Sequence, residues 1–448
     1  MKIEISEKLY NLAEKCAFPL YIVGGYVRDA LADLFTSSHD IDICAPVSAE
    51  EFCNTAKSCG AVIDATYKNT GTVKLGFGEE KYEFTSFRSD EYVRGVHTPV
   101  KTFFTDDIRL DAKRRDFKCN AVYYDIAKGE ICDPLGGAED IKNKSVSTVA
   151  DADKVFGEDG LRLMRLARQS AQTGFTPTKE CISGAKANAS LIADISAERV
   201  YAELDAILHA DKKYGVAGAQ YRGLKILDEI GVLDVILPEL TLGRGMMQNE
   251  AYHSYDVLEH SLRAVLYADG AVRLCALLHD IGKPRRYADS GNYHGHEKEG
   301  ARIARQVCTR LKVPKKIAEE AETLTYLHMY DVDLQTSVNR IKKFIVDNLK
   351  NFDKLLMIKQ ADFSACKDDT SEAPCVTKWK KIYGDMKNGG APFTLSQLKI
   401  NGSDLIESGV PPEKIGAILK SFLYDCVIDT RLNDKKTLIR RAQKLKFD

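Results

Sequence analysis

A change in sequence pattern near residue 145 constrains the fold of this chain more than any other feature. Before it, short runs of β-branched and aromatic residues such as PLYIVGG, DIDICA and KYEFTSF alternate with turn residues and with helical stretches at 26–35 and 48–59. After it, apolar residues recur every three or four positions, as in LRLMRLARQSA and ERVYAELDAIL. The pattern predicts an α+β head followed by helices over the rest of the chain, without convincing strands.

Length and composition limit the classes of protein that remain. At roughly 100 to 200 residues per domain, 448 residues predict about three domains. The 64 Lys and Arg residues nearly balance the 65 Asp and Glu residues, so a polyanionic partner must meet a local basic surface. The content of 44% hydrophobic and 29% charged residues is typical of globular proteins and excludes a disordered or fibrous chain.

The sequence also indicates a compartment. The first residues, MKIEISEKLYNLAEKC, mix charges into every turn, and no run approaches the roughly 18 apolar residues of a membrane helix. The 12 cysteines are scattered and contain no C-x-x-C, which argues against a disulfide framework and a cysteine zinc site. We therefore expect a cytoplasmic protein with reduced thiols and no membrane contact.

Two neighbouring features of the head indicate nucleotide chemistry. The strand YIV runs into Gly24 and Gly25 and then into a helix, so the backbone there can approach a phosphate closely. In the next strand Asp40 and Asp42 alternate with isoleucines, which places both carboxylates on one face. A glycine cradle followed by paired carboxylates suits two Mg²⁺ ions in nucleotidyl transfer. Glu83 is a weaker candidate for a third acid and is more typical of an edge-strand residue.

These features belong to a longer series of motifs. GGYVRD, HDIDI, KRRDFKCNAVYYD, DPLGGAEDIK and EDGLRLMRLAR, in this order and spacing, resemble the class II tRNA nucleotidyltransferases and the related bacterial poly(A) polymerases. The resemblance implies a nucleotidyltransferase head on a mixed sheet, followed by neck, body and tail helices. It also implies an enzyme that adds CMP and AMP from CTP and ATP to the tRNA 3′ end without a nucleic-acid template.

The resemblance assigns roles to matching residues. Asp40 and Asp42 would be the catalytic Mg²⁺ ligands, and Arg28 with Asp29 would stand beside the triphosphate, where a guanidinium grips phosphate oxygens in a fork. The motif RRDF would place Arg114, Arg115 and Asp116 near the sugar and phosphates, with Asn120 following. The residues expected at the nucleotide are Gly24, Gly25, Arg28, Asp29, Arg114, Asp116, Asn120, Asp159, Arg162, Arg165 and Arg168.

Asp159 and Arg162 offer a physical basis for choosing C and A. They stand three apart on a predicted helix, hence on nearly one face, and Arg165 and Arg168 continue the stripe. Cytosine and adenine each present an amino donor beside an acceptor nitrogen, which suits a carboxylate that accepts and a guanidinium that donates. GTP and UTP would meet mismatched groups. An ordinary intrahelical ion pair is the other interpretation of Asp159 and Arg162, and Arg165 and Arg168 either contact the triphosphate or line the neck surface.

Residues 85–105 form a polar, turn-prone connection before RRDF, and long loops inside compact domains are usually functional or disordered. In the family the corresponding loop is mobile and helps the pocket change from C to A. Arg94, with its acidic neighbours Asp90 and Glu91, makes this connection a candidate for that role.

A second metal centre is indicated in the helical part, because five of the nine histidines fall between residues 260 and 328. LLHDIGKP places His279 beside Asp280, and EHSLRAV, YHGHEKEGA, LTYLHMYD and IKQADFSAC add nitrogen and oxygen ligands. Neutral imidazole with carboxylate suits a divalent transition ion or Mg²⁺. Over residues 250–365 the series resembles the HD superfamily of metal-dependent phosphohydrolases.

The HD resemblance implies a ligand set and a chemistry. His260, His279, Asp280 and Asp362 would hold a divalent ion such as Mg²⁺, Mn²⁺ or Ni²⁺. His296 and His328, and also His294, would lie near a second ion or the phosphate, and Lys283 would contact a phosphate. Removal of a phosphate, or opening of a cyclic phosphate on a damaged tRNA end, is the corresponding hypothesis.

Four regions are therefore expected: a nucleotidyltransferase head at 1–145, a neck and body for nucleotide and RNA recognition at 146–250, an HD region at 251–370 and a tRNA-binding tail at 371–448. The expected partners are the tRNA 3′ end, CTP and ATP, with no obligate protein partner. A CC-only or A-only adding enzyme and a poly(A) polymerase share these motifs. A regulatory HD phosphohydrolase with an RNA-binding head is the alternative from another class, and the intact Asp40 and Asp42 weigh against it.

Overall fold

A computed structural model describes residues 3–34, 41–94 and 97–445. The chain divides into two compact units, one of Met1–Thr241 with Val307–Val313 and one of Leu242–Gln306 with Pro314–Asp448. Asp40, one of the two expected Mg²⁺ ligands, lies outside the described residues. Among the helices that are described, none is both long and apolar enough to cross a membrane.

The head is built on a mixed sheet, as expected. The strands of the first unit are β1 Tyr21–Val23, β2 Ile41–Ala45, β3 Val62–Tyr67, β4 Thr72–Phe77, β5 Glu80–Ser86, β6 Arg88–Glu91, β7 Lys101–Phe104, β8 Tyr123–Asp125, β9 Glu130–Cys132, β10 Ser145–Val146 and β11 Thr176–Pro177. Within the described residues seven of them form one sheet in the order β3-β4-β5-β2-β1-β8-β9, in which only β2 and β5 run parallel to each other.

Helices cover the sheet and continue beyond it. The helices of the first unit are α1 Glu7–Lys15, α2 Gly25–Leu31, α3 Ala49–Ser58, α4 Ile108–Lys113, α5 Gly137–Lys142, α6 Ala152–Glu158, α7 Leu161–Thr173, α8 Lys179–Asn188, α9 Ala197–Leu208, α10 Asp211–Tyr214, α11 Ala219–Glu229, α12 Val232–Ile236 and α13 Pro238–Thr241. The α+β head followed by helices is therefore confirmed.

The alternation of side chains along β2 places Asp42 on a particular face. Ile43 lies opposite Phe84 of β5, whose ring stacks on Phe52 of α3 with 3.6 Å between centroids. Because successive side chains point to opposite faces, Asp42 shares the other face with Cys44. Cys44 packs there in a buried cluster that includes residues of α4 and α6. The exposed Asp42 thus lies on the same face of the sheet as this cluster.

Three details differ from the sequence expectations. Glu83 was expected at an edge, but β5 lies between β4 and β2 in the sheet interior. The connection at 85–105 contains a hairpin of β6 and β7, because Arg88 to Glu91 pair with Phe104 to Lys101 in register. The helical part also contains one short pair of parallel strands, β10 and β11.

A buried ion-pair cluster under β6 gives a stability prediction. Asp111 on α4 is fully buried, accepts hydrogen bonds from Arg114, Arg115 and Tyr123, and has a pKa of about 2, because the arginines outweigh the effect of burial. We expect Asp111→Asn to lower the free energy of unfolding of the head by about 3–5 kcal/mol, since it leaves two buried cations without their counter-charge.

The pH dependence follows from the lowered pKa. Stabilisation by ionised Asp111 is complete above its ordinary pKa near 4 and is lost as the pH falls toward 2. Protection factors of the sheet amides, which correct for the intrinsic pH dependence of exchange, should therefore fall over this range in the wild type and change less in Asp111→Asn. Asp106→Asn, at an exposed position five residues earlier, is the matched control. Equal protection in Asp111→Asn and wild type would show that the pairs contribute nothing.

The second unit is helical throughout its described part. Its helices are α14 Val257–Tyr267, α15 Arg273–Leu278, α16 Lys283–Ser290, α17 His296–Arg310, α18 Lys315–Leu327, α19 Val338–Asp347, α20 Phe352–Lys367, α21 Pro374–Asn388, α22 Gly402–Glu407, α23 Ile415–Ile428 and α24 Lys435–Gln443. The last turn of α17, from Val307 onward, belongs to the first unit. Trp379 of α21 is fully buried and donates its indole N–H to Asp331, which ties the tail helices to the loop that follows α18.

Candidate active sites

The turn between β1 and α2 brings Gly24 against Asp42. Gly24 has φ +85°, a backbone conformation that favours glycine, and an added Cβ would lie 3.2 Å from Asp42 Oδ2. Asp42 pairs in register with Val23 on one side and with Glu83 on the other. Two carboxylates, Asp42 beside the glycine turn and Glu83 on the neighbouring strand, therefore lie on one face of the sheet.

Arg28 is fixed by three partners in this part of the head. It is 6% exposed and donates to Asp29 Oδ1 and to Asn120 Oδ1, the latter at 2.9 Å. Its third partner is the hydroxyl of Tyr214, at 3.0 Å, and that hydroxyl donates to Asp29 Oδ2. Burial opposes the charge of Arg28, but Asp29 outweighs it and raises the pKa. The guanidinium is consequently a permanent and rigidly oriented cation.

The network continues from Asn120 into the neck helix α7. Asn120 Nδ2 donates to Asp116 Oδ1 at 3.1 Å and to Gln169 Oε1 at 2.6 Å. Arg165 donates to Asp116 Oδ2 at 2.8 Å. Burial alone would raise the pKa of Asp116, but Arg165 and Asn120 hold it well below its usual range. Motifs far apart in sequence are thus joined by hydrogen bonds into one site.

Two other expected nucleotide residues are engaged elsewhere. Arg114 pairs with buried Asp111 at 2.7 Å. Arg168 pairs with Glu203 of α9 at 2.7 Å, and burial lowers its pKa. Of the two arginines on α7, Arg165 thus contacts Asp116 in the head network and Arg168 contacts α9. Contacts of either side chain with a triphosphate stay predictions.

Asp159 and Arg162 do not share a helix, contrary to the expectation. Asp159 is extended and ends α6, and α7 begins at Leu161, because Gly160 separates the two helices. Arg162 is buried and donates to the carbonyls of Val155 and Arg114 and to Glu158 Oε2, all within 2.8–2.9 Å. Its guanidinium is therefore immobilised by backbone acceptors, while Asp159 lies on the link between the helices.

Three side chains at this site were not predicted from the sequence. His97, which lies between β6 and β7 in the 85–105 connection, accepts the N–H of Gly160 at 3.1 Å and lies 4.0 Å from Asp159. Gln169 follows Arg165 by four residues, so the helical stripe contained a signal for it. Tyr214 stands in DKKYG with no distinguishing pattern, and only the fold brings it to Arg28.

A second site lies in the other unit. It consists of six side chains, here called the histidine cluster: His260, His279, Asp280, His296, His328 and Asp362. In one group, His260 Nε2 lies 3.1 Å from His279 Nε2 and 3.0 Å from Asp362 Oδ1. In the other, His296 Nε2 lies 3.2 Å from His328 Nε2.

Asp280 joins the two groups with its two oxygens. Oδ2 lies 3.4 Å from His260 Nε2 and 3.3 Å from His279 Nε2, and Oδ1 lies 3.1 Å from His296 Nε2 and 3.6 Å from His328 Nε2. All six side chains except that of Asp362 are almost completely buried. The arrangement offers two adjacent cation positions that share one carboxylate.

The donor set fits divalent cations. His279, His296 and His328 each direct Nδ1 at a backbone carbonyl, which leaves their Nε2 lone pairs facing one another and the carboxylates. Such a concentration of acceptors is stable only around positive charge. Burial opposes a charge on His279, yet Asp280 and Asp362 raise its pKa to about 10, and Asp280 itself has a pKa well below its usual range. Mixed nitrogen and oxygen ligands suit a transition ion.

The histidine cluster opens into a cavity of about 1050 Å³. Lys283 lines it and is tied to Asp280 and to Gln248 Oε1, the latter at 2.6 Å, and Lys359 lines it with one hydrogen bond to the His328 carbonyl. His294 also lines the cavity but belongs to neither ligand group. Burial and nearby Lys283 lower the pKa of His253 on the cavity wall to about 4, so this imidazole is neutral.

Family models match three segments of the chain. Residues 20–147 match the poly A polymerase head domain, residues 174–242 the probable RNA and SrmB-binding site of polymerase A, and residues 251–357 the HD domain. The matches follow the order expected from the motifs.

Characterised proteins resemble the chain over most of its length. An A-adding tRNA nucleotidyltransferase of Deinococcus radiodurans is 31% identical over 371 residues, which cover 78% of this chain and 77% of the relative. A CCA-adding enzyme of Ligilactobacillus salivarius is 26% identical over 96% of this chain and 94% of its own. The crystal structure of a Bacillus stearothermophilus CCA-adding enzyme in complex with CTP has the same fold, with TM-score 0.67, 22% identity and 98% coverage of each chain.

Proposed function

This chain belongs to the tRNA nucleotidyltransferase and poly(A) polymerase family, and on that premise we propose that it adds CMP and AMP from CTP and ATP to the tRNA 3′ end without a nucleic-acid template. The nucleotidyltransferase class follows from the family itself. The proposal rests on one observation, a hydrogen-bonded network that stands beside the Gly24 turn, next to Asp42. The network consists of Arg28, Asp29, Asn120, Asp116 and Arg165.

Sequencing of the products tests this proposal. A tRNA that ends at the discriminator base and a tRNA that already ends in CC are each incubated with CTP and ATP, and the added nucleotides are sequenced. The addition of C, C and A to the first tRNA supports the proposal. A single A on the second tRNA, with no addition to the first, would instead give the activity named for the Deinococcus relative, and CC alone or a long A tract would give the other two alternatives. The absence of nucleotide incorporation into either tRNA would revive the regulatory phosphohydrolase alternative.

The metal of the head is proposed to be Mg²⁺, with Asp40 and Asp42 as its ligands. Two Mg²⁺ ions held there would lower the pKa of the attacking hydroxyl and stabilise the departing pyrophosphate. Glu83, in register with Asp42, supports the proposal because it adds a carboxylate on the same face of the sheet. Arg28 is oriented by Asp29, Asn120 and Tyr214, which engage four of its five N–H groups, so it would offer the triphosphate one remaining N–H and a fixed positive charge.

Nucleotide choice is proposed to depend on Asp159 and Arg162. The carboxylate of Asp159 would accept from the amino group of C or A, and Arg162 would donate to the ring nitrogen. The backbone carbonyls that hold Arg162 support this role, because a fixed donor discriminates better than a mobile one.

We expect Asp159→Ala to lower discrimination against GTP and UTP by about 10- to 100-fold, since one mismatched buried polar pair is worth about 1–3 kcal/mol. Arg162→Ala should loosen selectivity in the same direction, with added instability from two unpaired carbonyls. Incorporation kinetics with each of the four nucleotides measure the effect. Asp194→Ala is the matched control, because Asp194 faces the other side of His97 at 3.6 Å. Unchanged selectivity in both variants would exclude the assignment.

A phosphohydrolase activity of the histidine cluster is proposed as a second function. The observation that favours it is the pair of ligand groups joined by Asp280 at the wall of a cavity with two buried lysines. Divalent ions at both positions would activate a water for attack on phosphorus. Candidate substrates are terminal phosphates and 2′,3′-cyclic phosphates of RNA ends, and the metal is proposed to be Mg²⁺, Mn²⁺, Ni²⁺ or another divalent ion.

The division into regions and the compartment are also proposals. The four regions are a head at 1–145, a neck and body at 146–250, an HD region at 251–370 and a tail at 371–448. Basic residues of α24 support RNA binding by the tail, although Lys435 and Arg441 pair with Asp404 and Asp425. The twelve cysteines all lie in the described residues, form no disulfide there and are mostly buried, which is consistent with a cytoplasmic protein.

A further inference from the structure

Three of the four histidines in the histidine cluster have their ring orientation fixed by a backbone carbonyl. Nδ1 of His279 lies 2.7 Å from the carbonyl of Ala276, Nδ1 of His296 lies 2.8 Å from that of Tyr293, and Nδ1 of His328 lies 2.7 Å from that of Thr325. Each acceptor stands three residues earlier in the chain. This bond places the proton on Nδ1 and so presents the Nε2 lone pair to a cation.

His260 is the exception. Its ring is completely buried, and its Nδ1 has no hydrogen-bond partner among the described residues. The reason is its position in the interior of α14, where the preceding carbonyls serve the helix itself. His279 and His328 end their helices and His296 begins one, so carbonyls without helical partners are within their reach.

His253 is the side chain placed to supply the hydrogen-bond acceptor that Nδ1 of His260 lacks. Its Nδ1 is also buried without a partner within the described part of the chain, and its ring meets that of His260 edge to face, with 5.0 Å between centroids. One ring nitrogen of each histidine and Cys366 Sγ lie within 4.8 Å of one another. This spacing suits one bridging water, which spans about 5.6 Å in two hydrogen bonds of ordinary length. Cys366 already donates to the Asp362 carbonyl, and sulfur is a weak acceptor.

We propose that His253 is a positioning residue for His260, whose Nδ1–H it accepts through one bridging water, and that it thereby directs His260 Nε2 toward the cation shared with His279 and Asp362. This inference rests on the proposed metal binding of the histidine cluster. His253 stands outside the ligand set and acts through the first ligand group alone, because the second group is held by Tyr293 and Thr325.

The test is Mn²⁺ binding to the metal-stripped full-length protein in an Asp42→Asn background, which lacks the proposed head site, with free Mn²⁺ followed by electron paramagnetic resonance. His253→Ala is measured in two backgrounds: His296→Ala, which retains the first group, and His279→Ala, which retains the second. We expect Mn²⁺ affinity to fall by about 10- to 100-fold in the first background, the usual effect of losing a partner of a metal-ligating histidine. Affinity in the second background should not change.

Further substitutions at the same position keep the proposal falsifiable. His253→Asn retains a polar atom near the place of Nδ1 and should recover most of the affinity, whereas His253→Phe keeps the ring and should bind as weakly as His253→Ala. Equal losses in both backgrounds, no loss in either, or an Asn variant as weak as the Phe variant would each overturn the inference. A wild type that binds no divalent ion would overturn the proposed metal function itself. Thermal unfolding of every variant, followed by circular dichroism, monitors the folding of the second unit, in which all of the histidine substitutions lie.

Discussion

Asp42→Asn should lower the rate of nucleotide addition by about 10³-fold or more. A carboxylate that holds a catalytic cation contributes several kcal/mol to the transition state, and each 1.36 kcal/mol is a factor of ten. An amide in the same place keeps the shape of the side chain and removes its charge. Because Asp42 is exposed and in register between Val23 and Glu83, the substitution should leave the sheet intact. Single-turnover extension of tRNA with CTP measures the effect.

Asp64→Asn is the matched control, since this exposed aspartate lies on β3 of the same sheet, away from the glycine turn. Its activity should equal that of the wild type. Asp40→Asn should behave like Asp42→Asn if both acids hold Mg²⁺. If the double variant with Asp40→Asn and Asp42→Asn still elongated tRNA at the full rate, the reaction would use neither carboxylate. That result would contradict the proposed function of the head.

The head shows how much of the site can be predicted from the sequence. Alternation of Asp and Ile predicts that Asp42 shares a face with Asp40, and the register with Val23 agrees with the expected strand. The partner of Asp42 across the sheet was not predictable, because β2 and β5 are parallel neighbours joined through two intervening strands. Glu83 was therefore taken for an edge residue when it lies in the interior.

The network around Arg28 shows a second limit of prediction from the sequence. Its bond to Asn120 spans 92 residues and its bond to Tyr214 spans 186, and neither local pattern contains the partner. Only the resemblance placed GGYVRD and RRDF at one site. The interruption of the helix at Gly160 was missed because the apolar spacing on both sides of it is helical. A Cβ at Gly160 would lie 2.7 Å from the Leu191 carbonyl, so close packing explains why glycine stands there.

In the histidine cluster the residue types were predictable and their pairing was not. The concentration of histidines predicts a metal centre, and HD places two ligands side by side. The division into two groups depends on the directions of the two Asp280 oxygens, which only the packing of α14, α17, α18 and α20 determines. His253, seven residues before His260, carried no motif and was not expected at the site.

Asp280→Asn should remove both cations at once, because one Asp280 oxygen faces each ligand group. The affinity of each position should fall by about 100-fold or more, since loss of a ligand exceeds the 10- to 100-fold effect of losing a partner of a ligand. Hydrolysis of a 2′,3′-cyclic phosphate on RNA should fall by about 10³-fold, and nucleotide addition should continue. In an Asp42→Asn background, which lacks the proposed head site, the metal content measured by mass spectrometry should fall from two ions to none.

A control variant on α16 distinguishes a role of Asp280 in metal binding from a general loss of stability. Asp289→Asn neutralises an aspartate that is half exposed and pairs with Arg285 on α16, and it should retain both ions and full hydrolysis. His279→Ala should lose the first ion and the hydrolysis. Hydrolysis that survives His279→Ala would refute the proposed phosphohydrolase site. Two bound ions in Asp280→Asn would show that the groups bind cations separately, so the shared carboxylate would have no role in joining them.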